Sequence, residues 1–249
     1  MKKFLGIWLV LFLIACNEQP RPTADAQGIV DLAIEASGGD RYKNSRIQFT
    51  FRDRNYIAYR ADGKRVLKRV TETDSGLVED VISGLSFDRT VEGVSQQLAD
   101  TTRQKLSDAV NSVHYFAYLP NGLNDAAVNK TYLGLVSIGD SQYHKIKVTF
   151  DREGGGTDFE DIFVYWFNEE TNLPDFLAYE YHTNGGGMRF REAYNERRVG
   201  GIRFVDYRNF KYEGPLPVTS LDSLYMAGHL EALSEIELED IEVIPDSYN

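Results

Sequence analysis

The chain has 249 residues, with 38 Asp and Glu against 27 Lys and Arg, a formal net charge of −11, and a single cysteine. A field of that sign repels phosphate backbones, which excludes nucleic acid as a partner. The length suits one all-β domain, no Pro-rich or Ser-rich linker divides it, and aromatics at 12% of residues supply side-chain volume for a core or a lined cavity.

The cysteine, Cys16, lies near the amino terminus. Lys2 and Lys3 form a basic start, residues 4–14 an apolar run too short to span a bilayer, and small Ala15 stands immediately before the thiol. That is the layout of a cleaved export signal. Leu13-Ile14-Ala15-Cys16 resembles the lipobox of bacterial lipoproteins, in which the thiol is diacylated and the preceding peptide removed. The resemblance implies a signal peptide over residues 1–15, a lipidated tether over 16–23 containing Pro20 and Pro22, and one domain over 24–249. With Cys16 acylated no thiol remains for a disulfide.

Residues 24–37 carry Ile29, Leu32, Ala33 and Ala36 at helical spacing and stop at Gly38-Gly39, which predicts a first helix with a glycine cap. Strand signals follow. Ile47, Phe49 and Phe51 alternate with Arg46, Gln48, Thr50 and Arg52, and Asp62-Gly63 marks a tight hairpin between residues 55–60 and 64–73. Shorter strands are expected at 77–83 and 86–92. The pattern then breaks into a second helix over 101–118, where Leu106, Ala109, Val110, Val113 and Ala117 form an apolar stripe that ends before Pro120.

From residue 130 onward the two-residue period returns. Arms at 130–138, 141–150, 158–167, 175–182, 188–198 and 201–212 are separated by Gly and Asn clusters such as Glu153-Gly154-Gly155-Gly156 and Gly200-Gly201, the signature of an antiparallel meander. A possible short helix at 220–230 and a last acidic strand at 234–244 complete the chain. The expectation is a mainly β fold of about ten or eleven strands with two or three helices. Around residues 162–167 and 176–181 both strand faces are apolar, so neither face is backed by water. A sheet curved around an apolar interior, with the helix at 101–118 on its concave side, accounts for this.

Tyr165-Trp166-Phe167-Asn168-Glu169-Glu170-Thr171-Asn172-Leu173-Pro174, with Gly201-Ile202-Arg203-Phe204 after the next hairpin, resembles the strand and turn of the LolA-like and LolB-like lipoprotein-carrier half-barrels and their mycobacterial lipid-binding relatives. Asp158-Phe159-Glu160-Asp161, Arg189-Phe190-Arg191-Glu192-Ala193-Tyr194-Asn195 and the early Ala36-Ser37-Gly38-Gly39 are similar to an uncharacterised group of lipid-anchored proteins of Bacteroidota. The resemblance implies an unclosed antiparallel half-barrel, helices on its concave face and a cavity for acyl chains. The residues expected to line that cavity are Phe49, Phe51, Leu106, Val110, Val113, Val148, Phe150, Val164, Trp166, Tyr179, Tyr181, Phe190 and Phe204. It also implies a monomer held on the outer membrane, facing the periplasm rather than the cell exterior.

Other chemistry was weighed against plainer roles. His144 and His182 are zinc ligands only if the strands bring them together, and no cofactor or metal is expected. Asp151, Glu153, Asp158, Glu160 and Asp161 flank a triple glycine without matching a calcium loop, and Asp158 with Glu160 is a glycosidase pair only if their acid and base roles separate. No nucleophile elbow, zincin helix or phosphate loop is present. Arg189, Arg191, Arg197, Arg198 and Arg203 can meet a lipid headgroup or pair with Glu192, Glu196 and Asp206. The expected function is therefore non-catalytic binding of a lipid or other elongated apolar ligand. The alternatives are an interaction module with a self-filled core that docks an envelope partner, and a lipid or glycan hydrolase.

Overall fold

A computed structural model of the chain describes residues 25–246; Cys16, the signal segment and the tether lie outside the described residues. The first helix, α1 (Ala26–Ser37), begins where the Asp25 carboxylate accepts from the Gln27 amide at 3.1 Å, and it ends at Gly38, whose φ of 145° no β-carbon tolerates well. It buries Ile29, Val30, Ala33 and Ser37. Leu32, expected on that stripe, faces solvent instead.

The first sheet is a meander of β1 (Ser45–Phe51), β2 (Arg54–Ala61), β3 (Lys64–Thr73), β4 (Gly76–Ser83), β5 (Ser86–Val91) and the two-residue β6 (Val94–Ser95). The Asp62-Gly63 turn has positive φ at both residues, 50° and 73°, the geometry whose twist matches the flanking strands. On its inner face Ile47, Phe49, Tyr56, Ala58, Leu67 and Phe87 receive α2 (Asp100–Ala117) through Val110, Val113 and Ala117. Arg69, Asp80 and Arg89 sit side by side on the same face, with the buried Asp80 carboxylate accepting from both guanidinium groups. Hydrogen bonds from the two arginines hold the Asp80 carboxyl below the usual carboxylate range against the opposing effect of burial.

The second sheet is a longer meander: β7 (Val128–Ile138), β8 (Ser141–Phe150), β9 (Ile162–Asn168), β10 (Pro174–Tyr181), β11 (Gly187–Val199) and β12 (Ile202–Tyr212). Its inner face, carrying Ile146, Val148, Tyr165, Phe167, Leu177, Val205 and Tyr207, packs on α1 and on the segment just after α2. Its other face carries Val164, Trp166, Ala178 and Phe190 and is covered by α3 (Leu221–Met226). Asp222 pins that helix down: its carboxylate accepts from Lys145 Nζ at 2.7 Å and from Trp166 Nε1 at 3.1 Å, all three groups being buried.

The carboxyl-terminal segment differs from the single strand expected at 234–244. It divides into β13 (Glu231–Ile236), at the edge of the second sheet beside β12, and β14 (Glu239–Pro245), at the edge of the first sheet beside β1. The crossing point is gripped by Asp206, which accepts from the Leu238 amide at 2.9 Å, and by Arg197, which donates to Asp206 and to the Leu238 carbonyl. The described residues form fourteen strands, more than the ten or eleven expected, in two seven-stranded antiparallel sheets that do not close into a barrel; this division and the short β6 supply two of the additional strands. The expected fold class, an open antiparallel half-barrel with helices, is the one the chain adopts. Only α3 departs from the expected placement, because both faces of β9 are apolar and the outer one needs a cover of its own.

Candidate functional site

The two sheets lie against opposite sides of α2, and the helix spends its apolar stripe on the first. Val110 and Val113 are buried there with Leu106 packed beside them, so the helix meets the second sheet only through Tyr115, Phe116 and the residues that follow. The contact is incomplete, and a crevice of about 650 Å³ remains.

Aromatic side chains form its apolar wall. Phe150 on β8, Phe163 on β9 and Tyr179 on β10 stand in a row across neighbouring strands, with Phe163 stacked on Tyr179 at 5.3 Å and edge-on to Phe150 at 5.7 Å. Tyr115 closes on Phe163 from the helix at 5.7 Å, and its hydroxyl shares a 2.8 Å hydrogen bond with that of Tyr165 behind it. Burial raises both phenol pKa values, so the pair stays neutral. Phe51, Phe116, Leu177 and Ile236 add to the apolar lining. A second, smaller cleft of about 320 Å³ lies between the end of α1 and strands β2 and β3; its lining is mostly polar, with Asp31, Glu35, Asp40 and Asp125 facing Arg60 and Arg65.

The triple glycine after β8 forms the rim. A β-carbon on Gly155 would come within 2.2 Å of the Asp151 carbonyl oxygen, whereas one on Gly156 would meet open space. The close approach of backbone to backbone therefore requires glycine at the middle position. Beyond the rim, Asp161 accepts from the His182 amide at 3.3 Å, with His182 Nδ1 at 3.5 Å, and burial followed by the neighbouring Asp158 pushes the Asp161 carboxyl up.

Of the residues expected to line one cavity, Phe51, Val113, Phe150 and Tyr179 do line this crevice. Phe49, Val110 and Phe204 are sealed in the core under the first sheet with Leu106 at its margin, and Val148 is sealed in the core of the second. Val164, Trp166 and Phe190 lie on the far face under α3, and Tyr181 lies past the crevice, bonded to Arg189 at 2.8 Å. On β9 the inward set is Phe163, Tyr165 and Phe167, and sequence could not choose between the faces because both are apolar. Tyr115, Phe116, Phe163 and Leu177 were missed as lining residues; the first two fall outside the main stripe of α2, and only the second sheet reveals their role.

The expected alternatives for chemistry are dispersed. His144 pairs with Tyr132 at 3.2 Å and lies toward one end of β9, while His182 follows β10 at the other. Among the described residues no group of three or more His, Cys, Asp or Glu side chains is placed to hold a metal ion. Asp158 and Glu160 are both exposed on the loop before β9. Arg197 pairs with Asp206 at 2.7 Å and Arg203 with Glu196 at 2.8 Å and Asp175 at 3.2 Å, as cross-strand ion pairs. Among the described residues no helix is long and apolar enough to cross a membrane.

Two open antiparallel sheets around a helix, with an aromatic-lined gap left between, define a half-barrel protein with an internal crevice. The chain belongs to DUF6503, a family of unknown function whose model matches residues 6–238. It is similar in structure to a DUF1329 family protein of Desulfovibrio piger, at 11% identity over 90% of this chain and 94% of that one, with a TM-score of 0.50. It also matches a LolA superfamily protein of Nitrosomonas europaea, at 15% identity, 87% and 92% coverage and a TM-score of 0.48. A further match is the lipoprotein LppX of Mycobacterium tuberculosis, at 12% identity, 65% and 91% coverage and a TM-score of 0.28. At 11% identity the likeness to the Desulfovibrio piger protein is one of fold. No curated protein matches the sequence.

Proposed function

We propose that this protein binds an elongated hydrophobic ligand in the crevice between α2 and the second sheet, without chemistry, while acylated Cys16 holds it on the outer membrane facing the periplasm. The observation that carries the reading is the unfilled, aromatic-walled gap of about 650 Å³. That lies within the roughly 300–1,000 Å³ of small-molecule sites. The outer face of the same sheet is filled by α3, so the space on the inner face is not a general looseness of packing. A self-filled interaction module is less well supported for that reason. The hydrolase reading is less well supported, because of the pair Asp158 and Glu160 only Asp158 lines the crevice and both side chains are exposed.

Energetics favour a long chain. Each methylene withdrawn from water contributes about 0.8 kcal/mol, so an alkyl chain offsets the several kcal/mol lost on association only when it runs the length of the wall. The attachment rests on the sequence alone: a basic start, a short apolar run and Ala15-Cys16. Organic extraction of the purified protein followed by mass spectrometry should recover one class of alkyl-chain compound at near-stoichiometric yield. Recovery of only bulk membrane lipid, in the proportions of the surrounding bilayer, would overturn the binding role. Cys16→Ser should abolish incorporation of labelled fatty acid into the protein and shift it out of the membrane fraction; unchanged membrane association would refute the anchor.

A further inference from the structure

The polar part of the crevice is as specific as its apolar wall. Arg191, on the inner face of β11, stands between Leu177 on β10 and Asn209 on β12. Its guanidinium carbon lies 5.2 Å from the ring centres of both Phe116 and Tyr179 and 5.9 Å from that of Tyr207. One nitrogen, Nη2, donates to the Tyr179 hydroxyl at 3.0 Å. Nε is buried and has no acceptor. Among the described residues no carboxylate approaches Arg191 within 4.0 Å, although Asp108, Asp125, Asp158 and Asp161 line other parts of the crevice.

Three other enclosed arginines have the partner that Arg191 lacks. Arg69 has Asp80, Arg197 has Asp206, and Arg203 has both Asp175 and Glu196. The half-buried Arg191 guanidinium, set among aromatic rings with a buried and unused Nε–H, lacks the anion that such a cation ordinarily has. Cross-strand from it, Asn209 is 7% exposed; its amide nitrogen reaches Ser234 Oγ at 3.2 Å, and its amide oxygen is buried without a donor. An unused donor and an unused acceptor thus lie on cross-strand neighbours, Arg191 and Asn209. Arg191, Asn209 and Ser234 all line the crevice.

We infer that Arg191 anchors the anionic head of an amphiphile whose alkyl chain runs along the wall formed by Phe150, Phe163 and Tyr179. A carboxylate fits the unused Nε–H through a charge-assisted hydrogen bond, in a place where the aromatic rings exclude competing water. The inference rests on the crevice being the ligand site and adds the chemical class of what it holds. Within the five-arginine cluster Arg197, Arg198 and Arg203 pair with carboxylates; Arg189 does not, but it bonds Met188 and Tyr181 away from the crevice, and Arg191 is the member that lines it.

The full chain, reconstituted in phosphatidylcholine vesicles, is presented with labelled hexadecanoate or hexadecanol, and uptake is taken as the excess over protein-free vesicles. Hexadecanoate should bind about ten-fold or more tightly than the alcohol of the same length. Arg191→Met should erase that preference, the ratio of acid to alcohol affinity falling to about one. Arg191→Lys, which keeps the charge in a less disruptive change, should retain part of it. Equal affinity for acid and alcohol in the unaltered protein overturns the head-group role but leaves the crevice reading standing. Absence of uptake of either overturns both. Displacement of hexadecanoate by an equal concentration of inorganic phosphate would assign Arg191 to a free anion, and it too would overturn the inference.

Discussion

His114 tests whether the interface between α2 and the first sheet is as dry as its packing implies. The imidazole is 1% exposed, edge-on to the rings of Phe49 and Tyr56, with Nε2 at 3.2 Å from the Lys68 carbonyl oxygen and Nδ1 at 3.3 Å from the Tyr118 hydroxyl. A carbonyl only accepts, so Nε2 carries the proton and Nδ1 accepts from Tyr118, a neutral tautomer with both nitrogens satisfied. Protonation of Nδ1 would cost that bond and place a cation among aromatic rings. Burial, aided by the nearby Arg65 charge and opposed by the bond to Lys68, brings the imidazole pKa down to about 3.

The folded pKa is below the unfolded value of about 6.5, so the unfolded chain binds the extra proton between the two. The stability His114 confers in its neutral form is complete above about pH 6.5 and is lost as pH falls toward 3. At pH 5 the loss from this one residue is about 2 kcal/mol, and below pH 3 it approaches about 5 kcal/mol. Urea denaturation at pH 8 and pH 5 measures it. Other groups titrate in the same range, so the decisive quantity is the difference from His114→Gln, whose amide can still donate to the Lys68 carbonyl but does not titrate. The variant should lose about 2 kcal/mol less than the unaltered protein on going to pH 5. Equal losses, or an imidazole resonance that titrates near pH 6.5, would refute the buried neutral assignment.

Three other outcomes follow from the packing. Asp222→Ala leaves the Lys145 ammonium and the Trp166 indole without their shared acceptor beneath α3, and should cost about 3–5 kcal/mol in urea denaturation; a loss below about 1 kcal/mol would mean that the cluster is solvated. Gly155→Ala should destabilise more than Gly156→Ala, because the first adds a 2.2 Å approach to a carbonyl and the second only the roughly 1–2 kcal/mol of a left-handed backbone, its φ being 79°; the reverse order in thermal melts would contradict the rim geometry. Asp206→Asn should loosen the crossing at Leu238, visible as faster amide exchange there while the middle of β9 keeps its protection.

The meander was legible because its physics is local. Alternation over residues 141–150 and 202–212, and glycine or asparagine at the reversals between them, need no knowledge of distant parts of the chain. What sequence could not supply were facts about a second layer. Trp166 and Tyr165 are equally apolar neighbours on one strand, and only the position of α3 decides which faces outward. The break between β13 and β14 was hidden for a similar reason: Ile236, Leu238, Ile241 and Val243 read as one apolar series, and the chain changes sheets among them because Asp206 and Arg197 hold Leu238. In sequence Arg191 is one member of a basic cluster; only the structure sets it on the crevice wall while Arg197, Arg198 and Arg203 pair with carboxylates.

The central claim is that the gap between α2 and the second sheet is occupied by a guest. Native mass spectrometry of the full chain released from detergent measures this directly, with Val128→Trp as the comparison, since Val128 lines the crevice and is only partly buried. The unaltered protein should carry one bound alkyl-chain molecule, and the tryptophan variant, folded by circular dichroism, should carry none. An unaltered protein that flies empty, or a variant that retains the same adduct, would contradict the account.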